Sequence, residues 1–195
     1  NSRGVLLPLV ARETLTVGNV PDHWILNAHG VARLDDGSLI VSDKLEYKLK
    51  TFSHQGRMTA ETGKRGGGPG EFRGPGPLDV HGSIIAVADF SSPRVHIYTT
   101  SLQYRSRFLA PGPVFQLAFD AAGGLWLGVL KDKNIFNLCK VDLSGNVLET
   151  LRLKNTGDDE FDRLFSFTID PAGRIAVAYA YQNKIEIWAP GNGLL

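Results

Sequence analysis

Four times along this chain a turn glycine leads into a short run of β-branched and aliphatic residues, and that recurrence limits what the chain can fold into. The copies are Asp36-Gly37-Ser38-Leu39-Ile40-Val41, His81-Gly82-Ser83-Ile84-Ile85-Ala86-Val87, Gly123-Gly124-Leu125-Trp126-Leu127-Gly128-Val129 and Ala172-Gly173-Arg174-Ile175-Ala176-Val177. With the turn glycines placed at 37, 82, 124 and 173, successive copies stand 45, 42 and 49 residues apart. A period of about 40–50 residues is that of a four-stranded propeller blade.

The rest of each unit fits a blade. A short strand precedes each glycine: Val31–Leu34, Pro77–Val80, Phe115–Phe119 and Phe165–Ile169. An alternating third strand follows a polar turn: Leu49–Phe52, Val95–Tyr98, Leu138–Val141 and Ile185–Trp188. Stretches such as Asn146–Leu151 supply a fourth. Alternation with a period of two belongs to strands, and no segment holds a 3.6-residue period for ten residues. The fold class read here is all-β: one β-propeller domain over residues 1–195, with four blades of four antiparallel strands. The blades run roughly over 27–64, 74–110, 113–154 and 163–195. Val5–Val17 has no blade of its own and is expected to act as a latch or outer strand. A lone sheet cannot bury both faces, whereas stacked blades bury them against each other.

The succession Lys64-Arg65-Gly66-Gly67-Gly68-Pro69-Gly70-Glu71-Phe72, then Ala86-Val87-Ala88-Asp89, then Arg94-Val95-His96-Ile97-Tyr98, resembles the NHL repeat. It is similar to bacterial six-bladed, TolB-like propellers of that type. Blade 1 follows the pattern with Asp43 and Lys48, and the common five-residue spacing of Asp43/Lys48 and Asp89/Arg94 suggests an ion pair across each strand 2–3 loop. Blade 3 departs at both places, with Leu130 and Ile135, and blade 4 keeps Lys184 opposite Tyr179. The resemblance implies six blades. The fourth breaks off at Leu194-Leu195, so the chain reads as a piece of a longer propeller rather than a closed four-bladed ring.

Composition narrows function by exclusion. The net charge of +1 gives no overall pull toward nucleic acid or acidic membranes. No apolar run reaches the ~18 residues of a membrane span. The single cysteine, Cys139, rules out an intramolecular disulfide and reads as a small strand residue.

Several features invite sharper readings. The glycine-rich loop at 63–70 lacks the GxxxxGK[ST] spacing and a following helix, so it reads as a connector and not a phosphate cradle. His23, His29, His54, His81 and His96 form no HxH or HExxH pair. Zinc-bearing lyases of the resembled class gather histidines from several blades on the axis, and His29 is the best placed for that. Asp158-Asp159-Glu160 with Asp162 lacks the alternation of a calcium loop. No catalytic set, metal site or cofactor is therefore expected.

Propellers commonly bind ligands on the face formed by the strand 2–3 loops and the inter-blade connectors. Here those loops carry aromatics beside cations. The residues expected to contact a ligand are Trp24, Tyr47, Phe72, Arg73, Lys133 and Tyr181, with Lys44 and Phe90 nearby. The expected function is a non-catalytic binding or scaffold module for a protein, peptide or glycan, in the periplasm or outside the cell. The alternatives are a propeller lactonase or lyase with an axial metal, and an RNA-binding module using the basic stretch 44–73.

Overall fold

The structure is a computed structural model, and it describes residues 16–18, 24–132, 135–153, 165–179, 184–189 and 193–194. Blade 1 comprises β1 (Ala28–Arg33), β2 (Leu39–Asp43), β3 (Lys48–Phe52) and β4 (Met58–Thr62). Blade 2 comprises β5 (Pro75–His81), β6 (Ile84–Asp89), β7 (Arg94–Thr99) and β8 (Tyr104–Leu109). Blade 3 holds β9 (Val114–Phe119), β10 (Leu125–Asp132), β11 (Ile135–Val141) and β12 (Val147–Arg152). Blade 4 holds β13 (Phe165–Ile169), β14 (Ile175–Tyr179), β15 (Lys184–Ala189) and the two-residue β16 (Gly193–Leu194). Each blade is a sequential antiparallel sheet, so the chain is an all-β propeller of four four-stranded blades. No helix among the described residues is long and apolar enough to cross a membrane. Residues 5–15 of the expected latch lie outside the described residues.

The first hairpin of each blade turns through left-handed backbone at its glycine: φ is +83° at Gly37, +54° at Gly82 and +79° at Gly173. A residue with a Cβ is disfavoured there. In blade 3 that glycine is Gly123 (φ +82°) and not Gly124. The preceding aspartate closes the turn, since Asp120 Oδ1 accepts from the N–H of Ala122 (3.0 Å) and of Gly124 (2.8 Å). Asp170 does the same for Ala172 and Arg174 at 3.0 and 2.9 Å. Such short side-chain acceptors mimic a backbone turn.

Three apolar cores lie between successive blades. Ile40, Leu49, Phe72, Leu78, Val87 and Tyr98 join blades 1 and 2. Ala86, Ala88, Val95 and Ile97 meet Leu125, Leu127 and Cys139 between blades 2 and 3. Trp126 and Leu138 meet Phe165, Phe167 and Val177 between blades 3 and 4. Polar ties stitch the blades together near the innermost strands. Ser42 Oγ donates to Gly76 O at 2.6 Å, and Asp79 accepts the Phe119 N–H at 2.7 Å. The Gln116 amide both donates to Phe167 O (2.6 Å) and accepts from Phe167 N (3.0 Å), as a neighbouring strand would. The outer strands β4, β8 and β12 are mostly exposed, and the exposed residues of β8 include Arg105, Ser106 and Arg107, charged and polar groups that discourage pairing with other chains.

Blade 4 presents an uncovered face. Asp89 opposes Arg94 in blade 2, as Tyr179 opposes Lys184 in blade 4, so Ile185 and Ile187 hold the positions of Val95 and Ile97. Val95 and Ile97 are 0% and 2% exposed, whereas Ile185 and Ile187 are 71% and 45% exposed.

A candidate ligand-binding cleft on the loop face

The connector from β4 to β5 shapes the site. Gly63 turns at φ +101°, where a Cβ would meet Tyr47 O at 2.6 Å and the Phe72 ring at 3.0 Å. The loop then folds back on itself. Gly66 N donates to Phe72 O and Phe72 N to Lys64 O, both at 2.9 Å. Glu71 Oε2 accepts the Gly67 and Gly68 N–H groups at 3.0 and 2.8 Å, and Lys64 pairs with Oε1 at 3.2 Å. These backbone donors are consumed within the loop, which is why it cradles no phosphate in the manner of a P-loop. Arg107 Nη1 reaches across from β8 to Gly67 O (2.6 Å) and Gly68 O (3.0 Å) and pins the loop to blade 2.

Above this connector opens a cleft of about 390 Å³ lined by Tyr47, Arg65, Gly66, Gly67 and Arg73. Tyr47 comes from the β2–β3 loop and adopts φ +60°, a conformation uncommon outside glycine and favoured only where surroundings hold it. The Arg65 guanidinium lies 5.6 Å from the centroid of the Tyr47 ring. A Cβ on Gly67 would stand 3.5 Å from Arg73 Nη2 and 3.6 Å from Arg94 Nη1, so two guanidinium tips converge on that glycine. Arg94 Nη1 is buried and has no hydrogen-bond partner.

Of the expected contacts, Tyr47 and Arg73 meet in this cleft. Trp24 is half exposed but lines no part of it, and its backbone carbonyl accepts from Lys50 Nζ at 2.5 Å. Phe72 is corrected: its ring is 0% exposed, packed 4.8 Å from the His96 ring and 6.0 Å from that of Tyr98. The phenyl group wedges between blades instead of reaching a ligand, because burying it is worth roughly 2 kcal/mol or more. Lys133 and Tyr181 lie outside the described residues, as do His23 and the acidic stretch at 158–162. Nearby on the loop face, Lys44 Nζ sits 4.0 Å over the Phe90 ring and the His29 ring lies 5.1 Å from it. Arg65 and Arg94 were not singled out as contacts from sequence.

The ion pairs suggested across the strand 2–3 loops do not form. Lys48 pairs with Glu61 instead. Asp43 pairs with the buried Lys50 at 3.2 Å and accepts the Leu26 N–H at 2.8 Å. Burial pushes the Asp43 carboxyl up, but the Leu26 N–H and Lys50 more than offset this and hold it below the ordinary range. Asp89 spends its carboxylate on the N–H groups of Arg73 (2.9 Å) and Ser91 (3.1 Å). In both blades this acid thus clamps the segment entering the innermost strand.

A second cleft, on the opposite face between blades 3 and 4, is lined by Asp120, Trp126, Lys140, Glu149 and Gly173 among others. Its central groups already satisfy one another: Lys140 pairs with Asp120 at 2.7 Å, and Trp126 Nε1 donates to Asp120 at 3.2 Å. No group of three His, Cys, Asp or Glu side chains suited to a metal ion occurs among the described residues.

No known protein family matches the chain, and no curated protein matches it in sequence. Solved structures do resemble it. Virginiamycin B lyase from Staphylococcus aureus superposes with a TM-score of 0.65 at 12% identity, over 93% of this chain and 57% of that one. A putative exported protein from Bacteroides fragilis gives 0.69 at 14% identity, over 93% and 52%. A streptogramin B lyase gives 0.64 at 12% identity, over 86% and 53%. The chain spans about half the length of these neighbours. At these identities the likeness carries the fold alone: the chain is a β-propeller.

Proposed function

We propose that this propeller is a binding module that recognises a ligand through the cleft between blades 1 and 2. The observation that carries the reading is the meeting of Tyr47, Arg65 and Arg73, from two separate loops, around one open concavity. An aromatic wall beside forked donors suits a glycan or a peptide. Lys44 over Phe90 extends the same chemistry along the loop face. The NHL-type motif in blade 2 supports a recognition role, and the exported neighbour from Bacteroides fragilis supports one outside the cytoplasm. The test is a glycan and peptide array probed with the wild-type chain and with Tyr47→Ala and Arg73→Ala. The reading expects specific signals that both substitutions abolish. Signals unchanged by both would contradict it.

A lyase role is the second reading, favoured by the streptogramin and virginiamycin B lyases among the structural neighbours. Turnover of virginiamycin B by this chain would establish it. No turnover alongside cleft-dependent binding would leave the first reading in place.

A further inference from the structure

We propose that the cleft takes an oxyanion carried on a saccharide ring, an acidic sugar, with Arg65 and Arg73 as its donors and the partly buried Arg94 as a further positive charge beneath. This rests on the binding reading above and names the chemistry of the same site.

Some described cations pair with carboxylates, as Lys50 does with Asp43, Lys140 with Asp120, Arg174 with Asp170 and Lys184 with Glu186, while others, such as Arg33, Arg57, Arg105 and Arg152, stand unpaired among the described residues and apart on the surface of three blades. Arg65, Arg73, Arg94 and Arg107 form no such pair among the described residues, and all four gather around one glycine loop. Glu71 is the carboxylate of that loop, and it is already held by Lys64 and two backbone N–H groups. Asp89 is committed to Arg73 N and Ser91 N. Arg94 is partly buried, and its Nη1 is shut from solvent without a hydrogen-bond partner, a cost that an incoming anion would lower. Guanidinium groups bind carboxylate, sulfate and phosphate through paired, charge-assisted donors.

The shape points to a ring-borne anion. Gly67 leaves bare backbone where a side chain would fill the space beside Arg73 and Arg94, and Gly66 lines the same cleft. The Tyr47 ring supplies one flat wall, on which a sugar ring can lie. The basic groups form a compact cluster in a chain of net charge +1, not the long track that a nucleic-acid backbone follows.

The experiment titrates the chain with methyl glucuronide and methyl glucoside, which share a ring and differ in charge, at fixed ionic strength. The expected result is binding of the glucuronide at least ~10-fold tighter than the glucoside. Arg73→Ala should erase the difference and Arg73→Lys should recover part of it. Arg94→Met should weaken the glucuronide while the chain stays folded. Sulfate and phosphate should compete where chloride does not. No glucuronide binding, or equal binding of the two glycosides, overturns the proposal. If that equal binding depends on Tyr47, the recognition role survives while the oxyanion does not. If neither Tyr47→Ala nor Arg73→Ala alters any captured ligand, both readings fall. Displacement of the glucuronide by a single-stranded oligonucleotide at lower concentration than sulfate overturns the saccharide assignment.

Discussion

Asp89 and Arg94 stand directly opposite one another at the end of the β6–β7 hairpin, yet no ion pair joins them. The carboxylate is turned to the backbone of Arg73 and Ser91, and the guanidinium is left with a buried, unpartnered nitrogen under the glycine loop. One residue of the pair thus serves the fold, and the other serves the cleft.

The two should therefore respond differently to substitution. Asp89→Ala orphans two backbone donors and should lower stability by about 1–3 kcal/mol in urea denaturation. Arg94→Met removes an unpaired charge and should leave stability at or above wild type. Equal losses would indicate an ion pair after all.

His96 gives a pH signature. Its ring is 0% exposed, and its pKa is lowered to about 4, chiefly by burial; Asp89 opposes the shift while Arg107 and Arg94 reinforce it. The unfolded chain takes up this proton near pH 6.5 and the folded chain only near 4. Stability should fall as pH drops through that window, by about 3 kcal/mol, and level off below it. In His96→Phe, urea unfolding between pH 7 and pH 4 should lose this component.

Lys50 is 3% exposed and bonds to Asp43, Glu46 and the Trp24 carbonyl. Lys50→Met leaves the buried Asp43 carboxylate without its cation and should cost roughly 3–5 kcal/mol in chemical denaturation. Adding Asp43→Asn to Lys50→Met should recover part of that loss, because no buried charge then remains at position 43.

Equivalent positions in blades 2 and 4 should behave unequally. Ile97→Ala empties a packed site and should cost about 2–5 kcal/mol. Ile187→Ala, at the matching but exposed position, should cost less than about 1 kcal/mol by the same denaturation measurement.

The four-blade architecture was legible because its signals are local. Turn glycines and period-two alternation mark each hairpin, and Asp89/Arg94 and Tyr179/Lys184 do fall opposite one another as strand partners. What those side chains then bond to is set by the next strand and by the connector entering the blade, so the expected ion pairs failed: Lys48 turns to Glu61, and Asp89 to the backbone of Arg73. The cleft was half legible. Tyr47 and Arg73 lie on loops of the face that propellers use, which position alone suggests. Phe72 was misassigned because only packing shows that the connector turns it inward. Arg65 counted only as part of a basic stretch. Arg94 was readable in part: it shares the blade-1 side of β7 with His96 and Tyr98, two residues on, but the glycine loop above it is placed by Glu71 and Arg107.

Recognition at the cleft between blades 1 and 2 leaves a local footprint on the backbone. The most direct measurement is backbone hydrogen–deuterium exchange with and without the ligand captured from the array. Exchange is predicted to slow over residues 44–48 and 63–74 and to stay unchanged elsewhere. Protection centred instead on the opposite-face turns at 120–124 and 170–174, with none at 63–74, would contradict the account.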